Sequence, residues 1–177
     1  MKLDTMDRKR DFWGVVKKLL RNFFLPEINR KLLIRLVVIS GICLLFFLFF
    51  KPCFISGSSM EPAWHDNGFT LSFRWKYLYS YPQRGDVVTI SYFGRRELLK
   101  RVVALPGDRV QFRGGILFVN DTAREEPYVV FPCDWESEPL VVRDGHCCVV
   151  GDNRSQTQAE HIHGEVELDR ISGGVLF

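Results

Sequence analysis

Two stretches of the chain contain residue types that could carry out nucleophilic chemistry. The first, "SGSSMEP" at 56–62, holds three serines and ends at a proline. The second, "LLKRVVALPGD" at 98–108, places a lysine inside a run of Leu and Val. A serine hydroxyl attacks a carbonyl only when a base takes its proton. Each stretch also has an ordinary explanation, because Ser and Gly are typical of loops and a Lys-Arg pair is typical of a solvated edge strand.

The base could be a histidine or a lysine. His, Asp and Glu all occur, so a Ser-His-Asp triad is possible in principle, but no GxSxG elbow is present. Side chains alternate across a strand, so one of Lys100 and Arg101 must face the interior side. Desolvation that lowered the pKa of a lysine from about 10.4 by ~2–3 units would make it a useful base, at a folding cost of ~3–4 kcal/mol.

The cysteines and histidines predict no metal site. Cys43 lies in an apolar run, and the other four cysteines could pair in an oxidising compartment, with Cys133 to Cys147 or Cys148 as the natural pairing. There is no C-x-x-C pair and no H-E-x-x-H motif, and His161-x-His163 is typical of an exposed pair. We expect neither a metal nor an organic cofactor.

An apolar run predicts a transmembrane helix over 32–50. The uncharged core "LVVISGICLLFFLFF" begins at Leu36, and with its upstream extension it is about long enough to cross a ~30 Å hydrocarbon layer. The first 35 residues carry ten Lys or Arg and four Asp or Glu, a net charge of +6. The positive-inside rule then places the N-terminus in the cytoplasm. A cleaved signal peptide is the alternative, but "FFLFFKPCF" lacks a small-x-small cleavage site.

The chain divides by composition into three segments. Residues 1–31 form a basic cytoplasmic segment, of which 8–25 has the spacing of an interfacial amphipathic helix. Residues 32–50 form the membrane helix, and 51–177 form an extracytoplasmic, β-rich domain. This charge distribution favours a membrane as the basic segment's partner and excludes nucleic acid.

Short β-type runs separated by turn residues predict the fold class, which is a mostly β, antiparallel catalytic domain with one N-terminal transmembrane helix. The turns "FGRR" at 93–96 and "RGG" at 113–115 fit hairpins. The predicted strands are 69–74, 86–93, 97–105, 109–112, 116–120, 128–131 and 146–152.

Four short boxes resemble bacterial type I signal peptidases, which are membrane-anchored serine endopeptidases with a serine–lysine dyad. These are "GSSMEPA" (57–63), "RGDVV" (84–88), "KRVVALPGD" (100–108) and "GDNR" (151–154), in the family's order. The resemblance implies that Ser59 is the nucleophile and Lys100 the general base. It also implies that the backbone N–H of Ser59 helps to hold the oxyanion, and that Ser56 and Ser58 are loop residues.

The resemblance assigns further residues around the dyad. It implies that Asp152, Asn153 and Arg154 support the site and that Thr157 offers the hydroxyl that orients the lysine. It places Met60, Pro62 and Trp64 near the substrate or the membrane surface. The chain departs from the family's pattern at Gly57, where some members have a serine that donates to the oxyanion, and at Ala159 and His161, which replace an Asp-Arg pair together.

The resemblance implies that the chain removes signal peptides from exported preproteins that carry small residues before the cleavage site. It would be a single-pass protein of the cell inner (plasma) membrane, with the catalytic domain on the outer or periplasmic side. Two alternatives remain open from the residues. One is a specialised processing peptidase for pilus, conjugation or surface proteins, and the other is a non-catalytic membrane-anchored binding domain.

Overall fold

The computed structural model describes residues 14–17, 29–91, 97–155, 158 and 164–176. The chain divides into two compact units, Met1–Leu45 and Phe46–Phe177. Several predictions fall outside the described residues. They concern most of the amphipathic segment 8–25, of which only 14–17 are described and are helical, the turn at 93–96, Thr157, Ala159, His161 and His163.

The long helix among the described residues is α1 (Arg30–Phe49). It begins where the Asn29 side chain accepts a hydrogen bond from the Leu32 N–H at 2.8 Å, which is the usual role of an N-cap residue. Its mean hydropathy reaches 2.8 and none of its residues is buried. By length and composition it can cross a membrane. The proposed boundaries 1–31, 32–50 and 51–177 stay a prediction.

In the described part of the rest of the chain the regular secondary structure is antiparallel sheet apart from one short 3-10 helix, which confirms the predicted fold class. One sheet has seven strands in the order β1-β2-β11-β3-β4-β9-β10 and the other has four in the order β7-β6-β5-β8. A short 3-10 helix, Leu168–Arg170, joins β10 to β11. The strands are β1 (Phe50–Phe54), β2 (Phe69–Phe73), β3 (Val87–Ser91), β4 (Glu97–Ala104), β5 (Arg109–Arg113), β6 (Ile116–Val119), β7 (Thr122–Ala123), β8 (Leu140–Val141), β9 (His146–Val150), β10 (Gly164–Glu167) and β11 (Ile171–Val175).

The predicted hairpin at 113–115 is confirmed, because β5 and β6 pair across it with Arg113 opposite Ile116. Gly114 and Gly115 take φ angles of 55° and 79°, the positive values that a tight hairpin turn requires. The predicted strand 128–131 is wrong. Its backbone bonds elsewhere, and the Phe131 carbonyl accepts the Arg154 N–H at 3.1 Å.

Five strands were not predicted: β1, β7, β8, β10 and β11. β1 contains Pro52, which argues against a strand in general but is tolerated here because β1 lies at the edge of its sheet. β11 contains Gly173 and Gly174, which are weak strand formers. Tertiary pairing with β2 and β3 outweighs that weakness.

The expected disulfide is absent, since all five cysteines are free thiols. Cys147 and Cys148 are neighbours on β9, so their side chains enter two different apolar clusters. Burial raises the pKa of Cys148 to about 12, with smaller contributions from Cys147 and Glu165, so this residue is a protonated thiol. Cys133 packs against the same cluster as Cys148 without bonding to it.

Candidate active site

Ser59 lies in the loop between β1 and β2. The loop turns at Gly57, whose φ of 101° favours a residue without a Cβ atom. The Gly57 N–H donates to Asp66 Oδ1 at 2.7 Å, which fixes the turn. Ser59 itself is half-buried and lines a cleft.

Met60 is a core residue. It is 1% exposed and packs with Ile55, Val87, Leu99 and Val175. Its side chain packs under the loop next to Ser59 and also lines the cleft, and the expectation that Met60 lies near the substrate or the membrane surface stays a prediction. Trp64 is half-buried and packs against the same cluster, whereas Pro62 is exposed.

Lys100 is the buried one of the two strand cations. It lies on β4 opposite Val88 of β3 and is 2% exposed. Arg101 takes the other face and makes a two-pronged ion pair with Asp152, with Nε–Oδ1 at 2.8 Å and Nη2–Oδ2 at 2.6 Å. Because side chains alternate along β4, Arg101 points towards its ion-pair partner and Lys100 points into the protein on the opposite face.

The environment of Lys100 makes its amine easier to deprotonate than that of a solvated lysine. Burial lowers its pKa from 10.5 to about 8, the Asp152 carboxylate opposes this shift, and the positive charge of Arg154 adds to it. Among the residues that the structure describes, no hydrogen bond or ion pair involves the Lys100 amine, and none joins it to the Ser59 hydroxyl.

The "GDNR" segment at 151–154 lies against both stretches. The Asn153 N–H donates to the Ser59 carbonyl at 3.0 Å, and the Asn153 side chain donates to the Ser58 carbonyl at 3.1 Å. Asp152 is the partner of Arg101, next to Lys100. One buried segment therefore holds the serine loop and borders the lysine.

Sequence reasoning missed Glu126 and Tyr128. Arg154 is 1% exposed, and its guanidinium donates to Glu126 Oε1 at 2.7 Å and to the Gly151 carbonyl at 2.6 Å. The Tyr128 hydroxyl donates to the same carboxylate at 2.9 Å, and its ring lies 3.9 Å from the Arg101 guanidinium carbon. The sequence signal for Glu126 was weak: it is one of two glutamates before Pro127, directly ahead of the predicted strand 128–131.

The boxes "RGDVV" and "KRVVALPGD" are joined through their charged ends. Arg84 makes a two-pronged ion pair with Asp108, with Nε–Oδ2 at 2.9 Å and Nη2–Oδ1 at 2.6 Å. The Gly85 N–H donates to the Val102 carbonyl at 2.8 Å, and the Gly85 carbonyl accepts from Arg101 at 2.7 Å. These contacts fix β4, and with it the direction in which Lys100 points.

A cleft begins at Ser59 and runs between β1 and the first half of β4. Its walls include Ile55, Met60 and Leu99 near the serine. Its other lining residues are Cys53, Phe54, Ser56, Gly57, Thr70, Thr89, Glu97 and Leu98. β1 is an edge strand, and β4 pairs with β9 only from Arg101 onward, so both strands have unpaired edges beside the cleft. An extended peptide could pair with such edges.

A family model described as "Signal peptidase, peptidase S26" matches residues 28–177 of the chain. Thylakoidal processing peptidase 1 of Arabidopsis thaliana is 31% identical over 139 residues, which are 72% of this chain and 41% of that protein. A probable signal peptidase I-1 of Synechocystis sp. is 28% identical over 154 residues, covering 82% of this chain and 78% of that protein. These similarities confirm the resemblance and do not favour a non-catalytic binding domain.

The chain spans about two fifths of the length of the first curated relatives it matches. A solved signal peptidase I from Enterococcus faecalis is 25% identical and aligns with a TM-score of 0.45, covering 55% of this chain and 98% of that one.

Proposed function

Because the chain belongs to the signal peptidase family, peptidase S26, a family of serine endopeptidases, we propose that it removes signal peptides from exported preproteins. The single observation that carries the mechanism is the burial of Lys100 with a pKa of about 8 beside the segment that holds the Ser59 loop. At pH 7 about one tenth of such a lysine is a neutral amine that can accept a proton, far more than of a solvated lysine.

In the proposed reaction Lys100 Nζ takes the Ser59 hydroxyl proton while Ser59 Oγ bonds to the carbonyl carbon of the scissile peptide. The C–N bond then breaks, and the proton on Lys100 passes to the leaving amine. An acyl ester remains on Ser59. Water loses a proton to Lys100, attacks the ester and releases the signal peptide, while the proton returns to Ser59 Oγ.

The backbone N–H of Ser59 would stabilise the oxyanion that forms on the carbonyl oxygen. Gly57 offers no side-chain donor, so a second donor would have to come from another group. Asn153 would position Ser59 by its two hydrogen bonds to the loop, and Asp152 and Arg154 would bias the charge of Lys100. Thr157 remains the proposed hydroxyl that orients Lys100.

The proposed partners are preproteins with small residues before the cleavage site and the lipid membrane. α1 would anchor the chain once in the plasma membrane, and the basic residues before it would keep the N-terminus in the cytoplasm. The β domain would then meet preproteins on the outer side, where their cleavage sites emerge.

The test is cleavage of a preprotein by the full-length chain in detergent or lipid vesicles. Ser59→Ala should lower kcat by at least about 10³-fold, because the nucleophile is removed. Ser80→Ala, a serine exposed on a remote turn, is the matched control and should retain wild-type activity. Loss of activity in Ser58→Ala with activity kept in Ser59→Ala would reassign the nucleophile.

A further inference from the structure

The 124–131 segment leads from β7 towards the GDNR segment, and no strand lies within it. Backbone hydrogen bonds fix both of its ends. The Arg124 N–H donates to the Leu117 carbonyl at 2.9 Å, and the Phe131 carbonyl accepts from the Arg154 N–H at 3.1 Å. Although the segment has no regular structure, the side chains between these two ends therefore have defined positions.

Tyr128 of this segment contacts two buried ion pairs. Its hydroxyl donates to Glu126 Oε1 at 2.9 Å, and the same oxygen accepts from Arg154 Nη2 at 2.7 Å. Its ring lies over the guanidinium of Arg101, which holds the carboxylate of Asp152. A guanidinium over an aromatic face is an attractive arrangement. Tyr128 therefore joins the two pairs, one through its hydroxyl and the other through its ring.

The ring of Tyr128 is the closer of two aromatic covers on Arg101. Its centroid lies 3.9 Å from the guanidinium carbon, whereas the centroid of Trp64 lies 6.0 Å away. The Arg101 side chain is 13% exposed and that of Asp152 is 0% exposed. An ion pair kept from water is screened less than a solvated one. Removing the Tyr128 ring would therefore admit water to the Arg101–Asp152 pair.

One member of each ion pair acts on Lys100. Among the described residues, the charged groups that affect its amine are Asp152 and Arg154, in opposite directions. Val88, which lies opposite Lys100 on β3, has no charge. Burial lowers the pKa of Lys100 most, Asp152 raises it and Arg154 lowers it further. The basicity of Lys100 therefore depends on how dry this region is and on how fully the partners neutralise the two charges.

We propose that Tyr128 is a positioning residue for the general base: it holds both ion pairs in place and shields them from water, and thereby sets the pH range in which Lys100 takes the Ser59 proton. The inference rests on the proposed function, since it needs Lys100 to be the base. Tyr128 acts through the charges of Asp152 and Arg154 and through the exclusion of water.

The test is the pH profile of kcat/KM for preprotein cleavage by the full-length Tyr128→Leu variant. Water in place of the ring weakens the Arg101–Asp152 pair, so more of the Asp152 charge acts on Lys100, and it also reduces the burial of the amine. Both changes raise the pKa of Lys100. The midpoint of the profile should move up by about one pH unit, with kcat/KM about tenfold lower at pH 7 and near the wild-type value by about pH 10. The Tyr128 phenol does not titrate in this range, because burial and Glu126 raise its pKa above the usual value.

Two further variants separate positioning from a structural role. Tyr128→Phe keeps the ring, and Glu126 still accepts from Arg154 at 2.7 and 3.3 Å, so the midpoint should stay near 8. Tyr79→Leu, at a position 95% exposed, should also keep the wild-type midpoint. A merely structural role would lower kcat/KM of Tyr128→Leu by the same factor at every pH. That outcome, or a midpoint that moves to lower pH, would overturn the inference.

A stability measurement tests the same route without cleavage. If the pKa of Lys100 is higher in folded Tyr128→Leu, burying its amine costs less below pH 8, and part of the stability lost with the ring is regained there. The loss in free energy of unfolding should therefore be smaller at pH 7 than near pH 10.5, and equal at the two pH values in the Lys100→Met background.

Urea denaturation of wild type, the two single variants and the double variant, all full length, measures this difference. An equal loss at both pH values when Lys100 is present would contradict the inference. Wild-type protein that cleaves no preprotein would instead overturn the proposed function, and the denaturation series would still decide whether Tyr128 and Lys100 are coupled.

Discussion

Two buried cations, Arg154 and Lys100, lie near each other at the candidate site, and their surroundings differ. Arg154 is 1% exposed and has a carboxylate, a carbonyl and two aromatic rings, those of Phe112 and Trp135, around its guanidinium. Lys100 is 2% exposed and makes no hydrogen bond with any described residue. The fold therefore stabilises one charge and disfavours the other.

The presence or absence of partners distinguishes a buried cation that stabilises the fold from one that is available for proton transfer. A buried charge with partners holds elements together, because removing either partner leaves the other uncompensated. A buried amine without partners lowers stability, and the protein keeps it only where a neutral amine is useful. Arg154 ties the 126–131 segment to the GDNR segment, whereas Lys100 is available for proton transfer in the proposed mechanism.

The largest effect should come from Lys100→Met, which keeps the length of the side chain and removes the amine. Cleavage of a preprotein should fall by about 10³-fold or more, since the general base is lost. The free energy of unfolding at pH 7 should increase, because a buried charge is removed. Kinetic assay and urea denaturation of the full chain measure the two effects.

Lys100→Arg is the matched control for charge. It should also be inactive, because a guanidinium does not give up its proton at useful pH, and it should be less stable than Lys100→Met. Full activity in Lys100→Met or in Lys100→Arg would contradict the mechanism in which Lys100 is the general base. A large loss of stability in Lys100→Met would place Lys100 in the same class as Arg154.

Glu126→Gln tests the other cation. It leaves Arg154 buried with a neutral partner, and the free energy of unfolding should fall by about 3 kcal/mol, the low end for a broken buried pair because the amide oxygen still accepts one hydrogen bond. Denaturation in urea measures the loss.

An exposed ion pair gives the control for Glu126→Gln. Asp121 pairs with Arg109 and Arg113, and its side chain is 58% exposed. Asp121→Asn should cost under about 1 kcal/mol, since solvent screens the pair. Equal losses in the two variants would contradict the distinction between the paired buried cation and surface charge.

The two cations also differ in how much of their surroundings the sequence predicts. The burial of one of Lys100 and Arg101 follows from alternation along a strand, and the four boxes bring Ser59 and Lys100 into one hypothesis. Glu126 could not be found in this way. Its partner is 28 residues away in the chain, and it lies in a segment without regular structure.

Strand β2 shows a second limit. Period-two patterning predicts β2 and β3 and divides their residues between two faces, but it does not say which face is covered. Hydrophobicity favours Phe69 as the buried residue, and the structure buries Thr70 and Ser72 instead. β1, which pairs with β2, was not among the predicted strands.

The last predicted effect is the pH dependence of stability that Lys100 confers. Its pKa is about 8 in the folded protein and 10.5 in the unfolded chain, so between these values the unfolded chain binds more protons. The destabilising contribution is fully present below pH 8 and disappears as the pH rises towards 10.5. Its size is about 3 kcal/mol, from 1.36 kcal/mol per unit of pKa difference.

The advantage of Lys100→Met over wild type in the free energy of unfolding should therefore shrink from pH 8 to pH 10.5. Urea denaturation of both proteins across this range measures it, and the Glu126→Gln difference should not follow the same curve. The same pKa predicts that kcat/KM of the wild type rises with pH to a midpoint near 8, as neutral Lys100 accumulates. Two results together would contradict this: a difference in free energy of unfolding between Lys100→Met and wild type that does not change with pH, and a kcat/KM that does not rise with pH. They would mean that Lys100 does not titrate in this range, and the contrast with Arg154 would no longer hold.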